Sequence, residues 1–252
     1  CNMIQTLKSP ALVLHSIRWS ESSKIVHLFT PDQGYLKAIA RGALRPRSPF
    51  RGTLENLNHI EVIVNIKEGR GLQLVSQVSL LNPFSNVREN LEATAMAFAI
   101  CELLRAVVHE NEASQPLFQF TIQTLEDLNS SRTGPVIFLL LRYLLYLSEY
   151  LGFGWNLQVC AGCKKTPQNF PLQAEIVNGS VYCPDCVSRT NLKTMPLSAA
   201  QWRLLLLLQQ ESPTDLLKPE IPGQPLIDLL LSHLSYHTEQ NLILRSLKLY
   251  QR

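Results

Sequence analysis

The sequence contains no long hydrophobic run. Its longest candidate, VIFLLLRYLLYL from Val136 to Leu147, is broken by Arg142 and falls short of the roughly 18 apolar residues that a membrane span requires. This run therefore reads as a buried helix, and no membrane partner is expected. Equally missing are GxxxxGK[ST], HExxH and GxSxG, the readable forms of a nucleotide phosphate loop, a zinc protease helix and a hydrolase nucleophile elbow. The histidines at 15, 27, 109, 233 and 237 have no acid and nucleophile in a recognisable pattern around them. These absences favour a binding protein over an enzyme. The first residues also lack the charged, then apolar, then small-residue pattern of an export signal, so a cytoplasmic location is expected; Cys1 and Asn2, which precede Met3, carry no argument.

Charge is sparse, at 17% of 252 residues with a net +3, but it is unevenly placed. Residues 1–82 hold ten Lys/Arg against five Asp/Glu, whereas residues 83–252 hold thirteen against fifteen. A basic first third suggests that this part meets a polyanion while the remainder does something else.

The same boundary separates two hydrophobic periods. From Ala11 to Leu81 five short segments alternate apolar and polar residues: ALVLHSIRW, KIVHLFT, YLKAIAR, HIEVIVNI and LQLVSQVSLL, with turn chemistry at Pro31 to Gly34 and Glu68 to Gly71. Five antiparallel strands of this length suit a small barrel of the oligonucleotide-binding (OB) type. An SH3-like barrel fits the pattern as well, and Gly42 to Asn58, with Pro46 and Pro49, offers little of the helix expected between OB strands three and four. After Pro83 the period becomes helical, through Leu91, Ala95, Phe98, Leu103 and Val107, then PLFQFTIQTLEDL, then PVIFLLLRYLLYLSEYLG ending at Gly152. Ser198 and Gln201 form a capping-box pattern before AAQWRLLLLLQQ, and Pro225 opens a last helix. The expectation is an α+β chain: an OB-type β-barrel domain at 1–82, then a helical domain at 83–252 carrying a zinc-ribbon-like insertion at about 157–190.

That insertion holds the strongest motif, Cys160-x2-Cys163-x19-Cys183-x2-Cys186. Each CxxC turn can aim two thiolates at one metal ion, with the intervening residues forming a hairpin; Gly162 and Gly179 supply its turns. Lys164 and Lys165 stand beside the thiolates and would lower their pKa values. Four cysteines leave the metal no open coordination position, so one structural Zn2+ is expected, cross-linking a segment with too little apolar material to fold alone. Disulfides would require an oxidising compartment, and a thioredoxin-like CxxC would require a βαβ unit. A catalytic zinc is the remaining rival: His59-x-Glu61 has the form of a deaminase ligand motif, but its Pro-Cys-x-x-Cys companion is missing, since Val159 and Tyr182 precede the two pairs. His59 reads as an ordinary strand-end residue. Cys101 lies within a helical stripe and reads as a core residue.

A second cluster is RGALRPRSPFR, in which Arg41, Arg45, Arg47 and Arg51 occur with no acid between them. Pro46 and Pro49 are expected to hold this segment extended as a phosphate-binding arm, with Lys37 upstream prolonging the track. Phe50 is either a stacking plane for a base or a plug of the barrel.

Together, the opening ALVLHSIRWSESSKIVHLFTPDQGYLKAIARGALRPRSPFRG, the helices, CAGC with CPDC, and the closing RSLKLY resemble the bacterial RecO family of recombination mediators. Members differ in whether they keep the four cysteines, which agrees with a stabilising metal. The resemblance implies a DNA-repair protein without nucleotide hydrolysis. It would bind single- and double-stranded DNA through its OB domain, anneal complementary strands without ATP and, with RecR, help load RecA onto DNA coated with single-stranded-DNA-binding protein. It also implies capture of that protein's acidic, hydrophobic C-terminal tail by the helical domain; Arg142 is the candidate for the rim of an apolar pocket, its alternative role being an arginine snorkelling from the helix edge. Read from residues alone, two other functions fit: an RNA-holding barrel and zinc ribbon of translation or transcription, and a zinc-dependent hydrolase whose site assembles across distance.

Overall fold

The computed structural model describes residues 4–130, 136–189, 192–210 and 221–250. Backbone contacts divide the chain into two compact units, residues 1–130 with 244–252, and residues 131–243.

The first unit is built on five strands: β1 (Ile4–Arg18), β2 (Lys24–Thr30), β3 (Gly34–Ala40), β4 (His59–Lys67) and β5 (Gln73–Asn82). Hydrogen bonding closes them in the order β1-β2-β3-β5-β4. All neighbours are antiparallel except β3 and β5, which pair in parallel at Ala38 with Gln73 and Ile39 with Leu74. The expected OB-like five-stranded architecture is therefore present. Strand alternation does the work: Ala11 and Val13, Val26 and Leu28, Leu36, Ala38 and Ala40, Ile60, Val62 and Val64 point inward to one core. Burying each larger side chain stabilises the unit by roughly 1.5–3 kcal/mol before entropy is counted. β2 is also buried outside, because Phe29 packs edge-on to Phe118, their ring centroids 5.4 Å apart.

Phe118 belongs to α3 (Gln115–Ser130), which with α1 (Ser85–Glu89) and α2 (Leu91–Val107) completes this part of the unit. The side chain of Asn90 caps α2 by accepting from the Ala93 N–H. Leu91, placed at the head of the apolar stripe by its spacing, is 66% exposed; the stripe that packs runs through Ala93, Met96, Ala97, Ile100 and Leu104. Cys101 is buried in it, and burial pushes its thiol up to about 12, as expected of a core residue.

No helix separates β3 from β4. Residues 41–58 instead form successive turns, closed by Arg45 N–H to Gly42 O, Ser48 N–H to Arg45 O and Arg51 N–H to Ser48 O. This corrects the expected extended arm. Pro46 and Pro49 each occupy the second position of such a turn, where their fixed φ favours the bend.

The second unit contains α4 (Ile137–Tyr150), β6 (Asn156–Cys160), β7 (Leu172–Glu175), β8 (Ser180–Tyr182), α5 (Pro184–Val187), β9 (Thr194–Leu197), α6 (Ala199–Gln210) and α7 (Gln224–Thr238). The capping box at α6 is formed: Gln201 N–H donates to Ser198 Oγ at 3.2 Å, and Ser198 N–H donates to Gln201 Oε1 at 3.0 Å. The small sheet runs β6-β8-β7-β9. It is fixed to α6 by Trp202, whose Nε1–H donates to Leu157 O at 2.7 Å. A short helix, α8 (Leu247–Tyr250), follows and packs with α2 in the first unit. Among the described residues no helix is long and apolar enough to cross a membrane.

Candidate metal centre and nucleic-acid interface

The four sequence-predicted cysteines come together in the second unit. Cys160 ends β6 and Cys163 lies in the turn after it, which is closed by Lys164 N–H to Cys160 O at 2.8 Å. Cys183 precedes α5, with Pro184 opening the helix, and Cys186 sits within it. The intervening β7 and β8 form the anticipated hairpin. Its turn is held by Glu175, a buried carboxylate accepting from the N–H groups of Val177 at 2.8 Å and Asn178 at 2.9 Å.

All four Sγ atoms lie within 4.8 Å of one another, with Cys160 to Cys183 at 3.5 Å and Cys163 to Cys183 at 3.8 Å. Four sulfurs bound at about 2.3 Å to one tetrahedral ion stand about 3.8 Å apart, so the donor set fits such an ion. The separations are far beyond the roughly 2.05 Å of a disulfide, and the cysteines are free thiols. Burial works against ionisation of Cys160, but N–H groups of Cys163, Cys183 and Gly162 directed at its sulfur bring it down to about 6. The lowering thus comes first from backbone N–H groups and then from a hydrogen bond with the Cys183 thiol, and Lys164 and Lys165 are not among its causes. Cys186 is pushed up to about 12, first by its hydrogen bond with Cys183. One thiol of the cluster ionises readily and the next does so against it, an arrangement that a cation relieves. His59 begins β4 in the other unit, beside the Phe118 ring.

The basic cluster lies on the barrel. Arg41, Arg45, Arg47 and Arg51 are all exposed. Ala43 and Phe50, which lie between them, and Leu54, just beyond Arg51, turn into the barrel core, so Phe50 is mainly a plug of the barrel. Asn58 braces the turns by donating from Nδ2 to Gly52 O and Thr53 O, both at 2.9 Å. The turns are also tied to the β1–β2 hairpin, where Leu44 N–H donates to Ser22 O at 2.9 Å. Lys24, Arg45, Arg51 and Glu55 line one concavity here, and Lys24 pairs with Glu55 at 2.8 Å.

Lys37 is not part of that concavity. It projects from β3 into a groove of about 890 Å3, with Lys67, Arg70, Gln5, Gln33 and Gln73, and pairs with Glu110 at 3.6 Å. Sequence reasoning missed Lys67 and Arg70, which the β4–β5 turn brings to this groove. It also missed Trp19, counted there as the end of a strand. β1 stops at Arg18, leaving Trp19 in the hairpin loop at 62% exposure; the polar run SESS after it was the available signal.

Arg142 lies on α4, half-buried, on the side of the helix that carries Tyr146 and Tyr150. These two rings stack with centroids 6.5 Å apart.

Comparison with known proteins agrees with this architecture. The model of the recombination protein O N-terminal domain matches residues 3–84, and that of the recombination protein O C-terminal domain matches residues 88–246. The chain belongs to the RecO family. A DNA repair protein RecO from Dehalococcoides mccartyi (strain CBDB1) is 29% identical over 89% of this chain and 87% of its own length. Those of Caldanaerobacter subterraneus subsp. tengcongensis and Chloroherpeton thalassium are 32% identical over 86% and 85%, and 26% identical over 97% and 98%, respectively. RecO membership gives the chain a role in DNA repair and recombination.

Proposed function

We propose that this RecO-family chain is an ATP-independent DNA annealing and mediator protein of the cytoplasm. It binds single- and double-stranded DNA on the barrel, aligns complementary strands and, with RecR, assists loading of RecA onto DNA covered by single-stranded-DNA-binding protein. The observation that carries this reading is the exposed group of Arg41, Arg45, Arg47 and Arg51 on turns braced against the barrel. Guanidinium groups neutralise phosphates without regard to sequence, which lowers the repulsion between two strands. Lys37, Lys67 and Arg70 offer further cations in a separate groove beside β3, which Glu68 and Glu110 also line. No bond is made or broken, so the chain needs no catalytic residue.

In this reading Cys160, Cys163, Cys183 and Cys186 hold one structural zinc, which supplies folding free energy to a sheet of strands only three to five residues long. The helical face with Arg142 receives the acidic tail of single-stranded-DNA-binding protein. The test is annealing of complementary oligonucleotides coated with single-stranded-DNA-binding protein, without ATP. Faster duplex formation on adding this protein is expected; an unchanged rate at saturating protein would overturn the proposal.

A further inference from the structure

The β1–β2 hairpin presents an indole to solvent where the fold makes no use of it. Trp19 is 62% exposed, whereas Trp155 and Trp202 are 5% and 8% exposed. Its backbone is nonetheless held: Trp19 N–H donates to Ser23 O at 2.9 Å, and Arg18 Nε–H donates to Ser20 O at 3.2 Å. Ile17, near the end of β1 and two residues before Trp19 in the chain, is also exposed, at 38%. The loop that carries the arginines joins this hairpin through the Leu44 N–H to Ser22 O bond, and Leu44 adds a further exposed apolar side chain, at 37%. Phe50, the aromatic residue within the arginine turns, is committed to the barrel core. The hairpin and the loop tied to it thus carry exposed apolar side chains as well as exposed guanidinium groups.

We infer that Trp19 is a base-stacking residue which makes the basic turns discriminate single-stranded from duplex nucleic acid. This rests on the reading of Arg41, Arg45, Arg47 and Arg51 as the phosphate-binding side. Phosphates are offered by both forms, so the arginines alone cannot tell them apart. The faces of bases within a duplex are covered by their neighbours, and only an unstacked base offers one to an indole. Arg18, next in sequence to Trp19, and Arg45, on the tethered loop, supply charge to the same strand. Stacking is indifferent to base identity, as an annealing protein requires, since it must hold a strand while leaving its sequence to be read by the complement.

The test uses the full chain with an oligothymidylate and a duplex of equal length, binding being followed by anisotropy of a labelled oligonucleotide. Trp19→Ala should weaken single-strand binding roughly 5- to 150-fold, the range for loss of one stacked base. It should leave duplex affinity and the salt slope of single-strand binding unchanged, because no phosphate contact is removed. Trp19→Phe should keep most of the single-strand affinity, and the quenching of tryptophan fluorescence by the oligothymidylate should vanish in it, since the two remaining indoles are buried. Equal loss for both nucleic acids, or no loss for either, overturns the stacking role. The arginine reading is judged separately by Arg45→Ala with Arg47→Ala: a reduced salt slope in that variant beside an unaffected Trp19→Ala sinks the stacking role alone. An unchanged slope in the arginine variant removes the interface and the stacking role with it.

Discussion

Gly162 lies so close to Cys186 that a Cβ added to it would stand 2.8 Å from Cys186 Cβ and 3.0 Å from Cys186 Sγ. The two CxxC turns therefore meet through a position only glycine can occupy without displacing a metal-binding sulfur. Gly162→Ala should weaken metal binding by roughly tenfold or more, in the range for changes that disturb ligand placement, measured by competition with a chromogenic chelator.

Purified without chelator, the protein should contain one zinc per chain by elemental analysis. Cys186→Ser should lose it and lower the thermal midpoint of the second unit, because binding to such a site is worth on the order of 10 kcal/mol of folding free energy. A stoichiometry near zero in the unmodified protein would leave the cluster as a thiol group without a metal.

The four arginines should act on affinity through charge alone. Each lost phosphate contact lowers the salt slope of log K by about 0.7 for a single strand, so Arg45→Ala with Arg47→Ala should lower it by roughly 1.4 for every sequence tested. Titration of oligonucleotides at several salt concentrations reads this directly.

Arg142→Ala should weaken binding of a peptide copy of the acidic tail of single-stranded-DNA-binding protein while leaving oligonucleotide affinity in place. Unchanged peptide affinity by fluorescence anisotropy would move the tail site away from α4.

A pH dependence follows from His27. Burial first, then the charges of Arg105, His15 and Lys37, lower its pKa from 6.5 to about 4, and its Nδ1 shares a hydrogen bond of 2.5 Å with the Tyr35 hydroxyl. The unfolded chain takes up this proton near pH 6.5 and the folded one only near 4. Stability is therefore full above 6.5 and falls as pH is lowered through that window. His15 and His59 are shifted in the same direction, also chiefly by burial. The urea midpoint should drop across the window in the unmodified protein and drop less in His27→Gln.

The sequence announced the barrel strands because alternation shows in them, most clearly in β3 and β4, and the cysteine cluster because a metal imposes spacing. It concealed what depends on a single residue's choice between two allowed states. Pro46 and Pro49 permit an extended chain or a turn, and the turn prevails because Ala43, Phe50 and Leu54 can then reach the barrel core. β6 to β9 are too short for a period to show, and Phe170 and Trp202, which pack on each other, lie outside the strands. The place of Lys37 could not be read either, since Glu110, its partner, is distant in sequence and reaches it only in the folded unit.

The Glu102 carboxylate of α2 accepts hydrogen bonds from Ser246, through N–H at 3.3 Å and hydroxyl at 3.4 Å, so the unit begun by β1 is completed by residues beyond 243. On the ribosome this orders events. Chains emerge at about 5–20 residues per second, and the barrel with its first three helices must wait for the whole of residues 131–243 before α8 arrives to cover α2. The cysteine-bearing unit, continuous in sequence, can form and take up its metal while the earlier one is still unfinished.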